Sequence, residues 1–138
     1  MNWLFWALLS ALFAGLTAVL AKVGVEGIDS NLATAIRTTV ILLFAWGVAL
    51  VRNTQPLATI TSKTWLFLIL SGLATGASWL CYFRALQLGE ASRVAPVDKL
   101  SIVVTMVLAV LVLGETLTWA QWVGGGLIVG GTVLLAMA

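Results

Sequence analysis

Residues 92–115 read SRVAPVDKLSIVVTMVLAVLVLGE, and the apolar run from Leu100 to Leu113 within them is built for hydrocarbon. Yet the same segment carries Pro96, Asp98 and Lys99 in its first turns. At the first turn of a helix the missing N–H of Pro96 costs nothing, while further in it would free the carbonyl four residues back and bend the segment. In both cases unpaired backbone groups arise close to two opposite charges. Interrupted helices at membrane depth are tolerated where they line a cavity.

Working outward, the chain has 62% hydrophobic and 9% charged residues with a mean hydropathy of +1.12, against about 25% charged in ordinary soluble domains. These values define an integral membrane protein. Five apolar segments, near 3–21, 32–51, 64–88, 94–113 and 119–137, each approach the roughly 20 residues that span a bilayer. Polar or glycine-containing joints separate them: KVGVEGIDSN with the capping pair Asp29/Ser30, RNTQPLATITSK with Pro56, GEASR and GETLT. Period-2 alternation is lacking, which argues against a transmembrane barrel. The fold class is therefore all-α, with five transmembrane helices in one domain over residues 1–138. The first run lacks the positive start, the short apolar core and the clean cleavage site of a signal peptide, and reads as a retained helix.

No histidine and one cysteine, Cys81, leave no zinc or haem ligand set and no internal disulfide, so no cofactor and no metal are expected. Catalytic triads are set aside with them, and an enzyme is not expected. A net charge of +2, dispersed rather than in a basic stripe, argues against a nucleic-acid partner. No phosphate-binding GxxxxGK[ST] stretch is present. The principal partner is the lipid bilayer.

Gly72 and Gly76, and Gly126 and Gly130, stand four apart where helices pack through close backbone contact. Trp3, Trp6, Trp65, Trp119 and Trp122 sit near segment ends, as interfacial residues do, whereas Trp46 and Trp79 lie deeper. Trp79 and Tyr82 stand three apart on one helix face, in the segment that also holds Arg84.

Charges inside spans cost about 2.5–3.5 kcal/mol at a helix centre and usually face a partner or a pathway. Arg37, Arg84 and Lys99 lie about 6–9 Å inside their segment ends, so snorkelling is open to each. Asp98 is too short to snorkel far. Adjacent residues diverge by about 100° on a helix, so the expected partner of Asp98 is Arg37 or Arg84 rather than Lys99. A structural ion pair, substrate binding and proton coupling all remain open for it. In the joints, Lys22 and Arg93 fall on one side and Arg52 and Lys63 on the other, a tie under the positive-inside rule that is compatible with insertion both ways.

With these features placed, the chain resembles the EamA-type repeat of the drug/metabolite transporter superfamily. The similarity runs from ALFAGLTAVLAKVGV (11–25) to the glycine-rich last segment. It is strongest over YFRALQLGEASRVAPVDKLSIVVTMVLAVLVLGETLTWAQWVGGGLIVGGTVLLA (82–136), with its early proline, its Leu113-Gly114-Glu115 exit and its glycine-rich fifth helix. The resemblance implies one half of a ten-helix inverted-repeat fold, completed by a second copy in an antiparallel homodimer similar to the small multidrug resistance transporters. Unlike those, the chain lacks an acidic residue in its first segment, which argues against proton/drug antiport through a first-helix Glu. It further implies a pathway lined by helices one to four, with Arg37, Trp79, Tyr82, Arg84, Pro96, Asp98, Lys99 and Ser101 as lining candidates. The net positive set favours an anionic or zwitterionic small-molecule substrate crossing the inner membrane by alternating access. The alternatives are a subunit that flips a lipid-linked sugar and a non-transporting membrane scaffold.

Overall fold

The computed structural model describes residues 2–52 and 54–137; Met1, Asn53 and Ala138, which the expected domain of 1–138 includes, lie outside the described residues. Each apolar run forms a helix because, away from water, a backbone satisfies its own N–H and C=O groups only within a helix or a closed barrel. The elements are α1 (Trp3–Gly24), α2 (Ser30–Val51), a short 3₁₀ turn (Leu57–Thr59), α3 (Ser62–Leu88), α4 (Ala91–Asp98), α5 (Ser101–Leu113) and α6 (Trp119–Met137). With α4 and α5 taken together as Ala91–Leu113, five spans are long and apolar enough to cross a bilayer, and no strand occurs among the described residues.

Capping chemistry sets several ends. The Asp29 carboxylate accepts from the backbone N–H of Asn31 at 2.9 Å and of Leu32 at 3.1 Å, so α2 begins at Ser30, earlier than the apolar run itself. Gly114 closes α5 with φ 68°, a left-handed conformation that a side chain disfavours, and Glu115 N–H then turns back to Ala109 O at 3.1 Å. That turn is a mechanical reason for Leu-Gly-Glu at this exit.

Two compact units make up the chain: Met1–Lys22 with Leu88–Ala138, and Val23–Gln87. In the first, α6 packs against α4 and α5. A Cβ added to Gly125 of α6 would lie 3.2 Å from Sδ and Cε of Met106 of α5, so the missing side chain is what lets these helices approach. Higher on α6, the buried Thr132 hydroxyl donates to Pro96 O at 3.3 Å. The Lys22 ammonium donates to Gly89 O at 3.0 Å, tying the end of α1 to the turn before α4.

In the second unit the most deeply buried residues are Val25, Ser30, Ala33 and Thr34, around the start of α2, and Phe83 and Leu86, near the end of α3. Gln87 fastens these two regions. Its amide Nε2 donates to Ile28 O at 2.6 Å and to Val25 O at 3.4 Å, replacing water for carbonyls that no helix satisfies. Thr34, Thr38 and Thr39 bond back to the carbonyls of Ser30, Thr34 and Ala35, so their hydroxyls are satisfied inside α2 and need no partner elsewhere. Most large apolar side chains outside these knots are exposed, from Val129 at 37% to Val51 at 84%, and their natural solvent is lipid.

The expected fourth helix is in fact two. Pro96 is the sixth residue of α4 rather than a first-turn residue, so its missing N–H leaves Ser92 O without its usual donor. The chain answers by tightening: Lys99 bonds Pro96 O, Leu100 bonds Val97 O, Ile102 bonds Lys99 O and Val103 bonds Leu100 O, all at 3.0 Å with three-residue spacing. Asp98 therefore ends α4, Lys99 caps it, and Ser101 starts α5, whereas the sequence suggested that all three stood at the start of one continuous helix.

Candidate functional site

Arg37 lies about 10 Å into α2 from Ser30 at 1.5 Å per residue. Its guanidinium carbon sits 4.3 Å from the ring centroid of Trp79 and 5.4 Å from that of Phe83, both on α3. Trp79 and Phe83 are four apart and so share one face of α3, which makes the pair a two-ring bed for a single cation. Away from water such stacking is worth about 2 kcal/mol, enough to offset much of the insertion cost of an arginine. Arg37 and Trp79 are half-buried and Phe83 is buried. No carboxylate of the described residues pairs with Arg37, and its N–H edge donates to no acceptor in them.

Tyr82 is half-buried and meets the Phe83 ring edge-on, with centroids 6.5 Å apart. Thus Trp79 belongs with Phe83 around Arg37, and Tyr82 stands beside Phe83 within electrostatic range of the same arginine. Phe83 was missed because one phenylalanine in an apolar helix is indistinguishable from lipid-facing neighbours. Its spacing of four from Trp79 was the available signal.

Arg84 is exposed near the end of α3. Its Nη1 donates to Gln87 Oε1 at 3.1 Å and so orients the amide that clasps Val25 and Ile28. Gln87, a polar amide inside an apolar span, was the sequence signal for that clasp.

Asp98 pairs with its own neighbour Lys99, at 3.2 Å, a pair that helical azimuths argue against. In the tightened three-residue turn neighbours still diverge by about 120°, and the length of the Lys99 side chain is what lets its ammonium reach the carboxylate. Pro96 carries the break and Ser101 opens α5, its carbonyl accepting from Thr105 Oγ1 at 2.9 Å. Asp98, Lys99 and Ser101 are thus grouped at the break, while Arg37, Trp79 and Tyr82 are grouped on α2 and α3, each cluster within its own unit.

Among the expected packing glycines, a Cβ at Gly72, Gly76, Gly126 or Gly130 would meet nothing within 4 Å. Among the glycines described, a close approach occurs at Gly125, next to Gly126 in α6. Among the described residues no three His, Cys, Asp or Glu side chains come together where a metal ion could sit.

Five helices long and apolar enough to cross a bilayer define a multi-pass membrane protein. The EamA-like transporter family model matches residues 1–137, and the chain belongs to that family. It is 59% identical over 137 residues to a Sinorhizobium sp protein named "Uncharacterized transporter in cobO 3'region", an alignment covering 99% of this chain and 97% of that protein. No solved structure matches the chain.

Proposed function

We propose that this protein is a secondary transporter moving a small anionic or zwitterionic metabolite across the inner membrane, by alternating access between two antiparallel copies. The observation that carries the reading is Arg37, an intramembrane cation held on Trp79 and Phe83 with its hydrogen-bonding edge unspent. A scaffold would have reason to neutralise such a charge with a carboxylate; a pathway for anions has reason to leave it open. Pairing of two copies is supported by the relative's length: this chain covers 97% of it, so that protein too has room for one such repeat. The tie between Lys22/Arg93 and Arg52/Lys63 supports insertion in both orientations.

The test is uptake into proteoliposomes of a labelled panel of amino acids, monocarboxylates and organic cations, with Arg37→Gln as the control. Gradient-driven uptake of an acidic or zwitterionic compound, lost in Arg37→Gln, is expected. Uptake confined to organic cations would overturn the substrate class, and absence of uptake together with co-purified polyprenyl lipid would favour flipping instead. For orientation, a cytoplasm-active and a periplasm-active reporter fused after Ala138 should both be active; activity of only one removes the antiparallel pair.

A further inference from the structure

Resting on the transporter reading, the geometry points to a more specific role for Arg37: it is a fork for one carboxylate group of the substrate, with Trp79 and Phe83 fixing the plane of its guanidinium. A guanidinium stacked on a ring spends its face and leaves its in-plane N–H donors directed outward. Those donors match the two oxygens of a carboxylate in parallel hydrogen bonds. With its central carbon 4.3 Å from the Trp79 centroid and 5.4 Å from that of Phe83, the guanidinium is held in place before anything binds, so little side-chain freedom remains to be lost on binding.

Charge count separates carboxylate from phosphate. A phosphate monoester carries between one and two negative charges near neutral pH, and its recognition draws on several cations. In the unit that holds Arg37, Arg84 donates through Nη1 to Gln87 Oε1, and among the described residues Arg37 alone lies over the Trp79 and Phe83 rings. One guanidinium therefore meets one unit of negative charge, as a monocarboxylate or the carboxylate of an amino acid presents. A lysine cannot substitute, because an ammonium is a point charge without the fork and without a flat face to lie on indole.

The experiment compares acid with amide. Leucine against leucinamide and benzoate against benzamide are tested by thermal shift of the purified protein in detergent, and by competition against the substrate found in the uptake panel. The acids should act and the amides should not. Arg37→Lys should weaken the acid response by about tenfold or more, as fully as Arg37→Gln, reflecting the lost charge-assisted pair. Trp79→Phe, which keeps a ring under the guanidinium, should retain most of the response, and Trp79→Leu should lose it. Preserved response in Arg37→Lys would show a point charge and overturn the fork. Equal action of acid and amide, or a wild-type protein that transports phosphate compounds or cations while ignoring both acids, would overturn the carboxylate and leave transport standing. Absence of transport of every compound in the panel would remove the transporter reading and this inference with it.

Discussion

The hydroxyl of Thr132 on α6 donates to the carbonyl of Pro96 on α4, joining two helices at the point where one of them breaks. That carbonyl also accepts from Lys99 N–H at 3.0 Å, so Thr132 stabilises the tightened turn rather than filling an empty site. Thr132→Val should cost about 1 kcal/mol, in the range of hydrogen bonds between helices in membranes, and Thr132→Ser should cost much less. In Pro96→Ala the restored N–H can reach Ser92 O and regularise the helix, so the cost of Thr132→Val should shrink in that background. Thermal unfolding of the four proteins in detergent closes the cycle; equal costs in both backgrounds would show that Thr132 does not act through the break.

Gln87 offers a sharper separation of roles, because its two ends do different work. Gln87→Ala removes the bonds to Ile28 O and Val25 O and should cost about 1–3 kcal/mol by leaving those carbonyls short of a donor. Gln87→Glu keeps an acceptor for Arg84 and adds charge, yet loses the N–H donors and places a carboxylate beside two carbonyl oxygens. It should therefore destabilise at least as much as Gln87→Ala near neutral pH. If Gln87→Glu is instead as stable as the native protein in thermal unfolding, the Arg84 contact rather than the clasp holds this corner.

Helices, span number and the Asp29 cap were legible in the sequence because each rests on a local quantity: apolar length, or a side chain within three residues of its target. Pro96 announced that the fourth span would bend. What escaped is the pairing of Asp98, since azimuths separate it from Lys99 while the length of the Lys99 side chain spans that angle. Phe83 and Thr132 escaped for another reason: apolar and hydroxyl side chains acquire meaning only when a neighbouring helix brings Arg37 or Pro96 to them. The glycine faces were legible as small but not as occupied, because sequence spacing does not say which of Gly124, Gly125 and Gly126 meets a neighbour.

Asp98 and Lys99 should couple to each other and not to Arg37 or Arg84. The pair is 3.2 Å apart with side chains about half and one-third exposed, so its net worth is small, below about 1 kcal/mol. In a double-mutant cycle, Asp98→Asn with Lys99→Gln should deviate from additivity, while Asp98→Asn with Arg37→Gln or Arg84→Gln should be additive. Coupling to an arginine as large as that to Lys99 would contradict the local pair. In transport, Asp98→Asn should change rate less than Arg37→Gln, since the charge it removes is already matched by its neighbour.

The glycines supply a test of whether two copies meet. Gly125→Ala would bring a methyl to 3.2 Å from the tip of Met106, a flexible side chain that can shift by a few tenths of an ångström, so a small loss of stability is expected, with a larger one for Gly125→Leu. At Gly126, Gly130, Gly72 and Gly76 the same methyl meets open space within the chain. Alanine there should leave the stability of a single chain unchanged, and can even raise it slightly through helix propensity. If a second copy packs against either face, the methyl stands between two backbones and weakens association, because in lipid such contacts depend on close approach rather than on a hydrophobic force. Gly126→Ala/Gly130→Ala and Gly72→Ala/Gly76→Ala should thus be compared by cross-linking in membranes and by unfolding in monomer-stabilising detergent. Reduced cross-linking with unchanged unfolding in one pair identifies the face that meets the second copy, whereas unchanged cross-linking in both pairs leaves both glycine faces to lipid and places any dimer contact elsewhere.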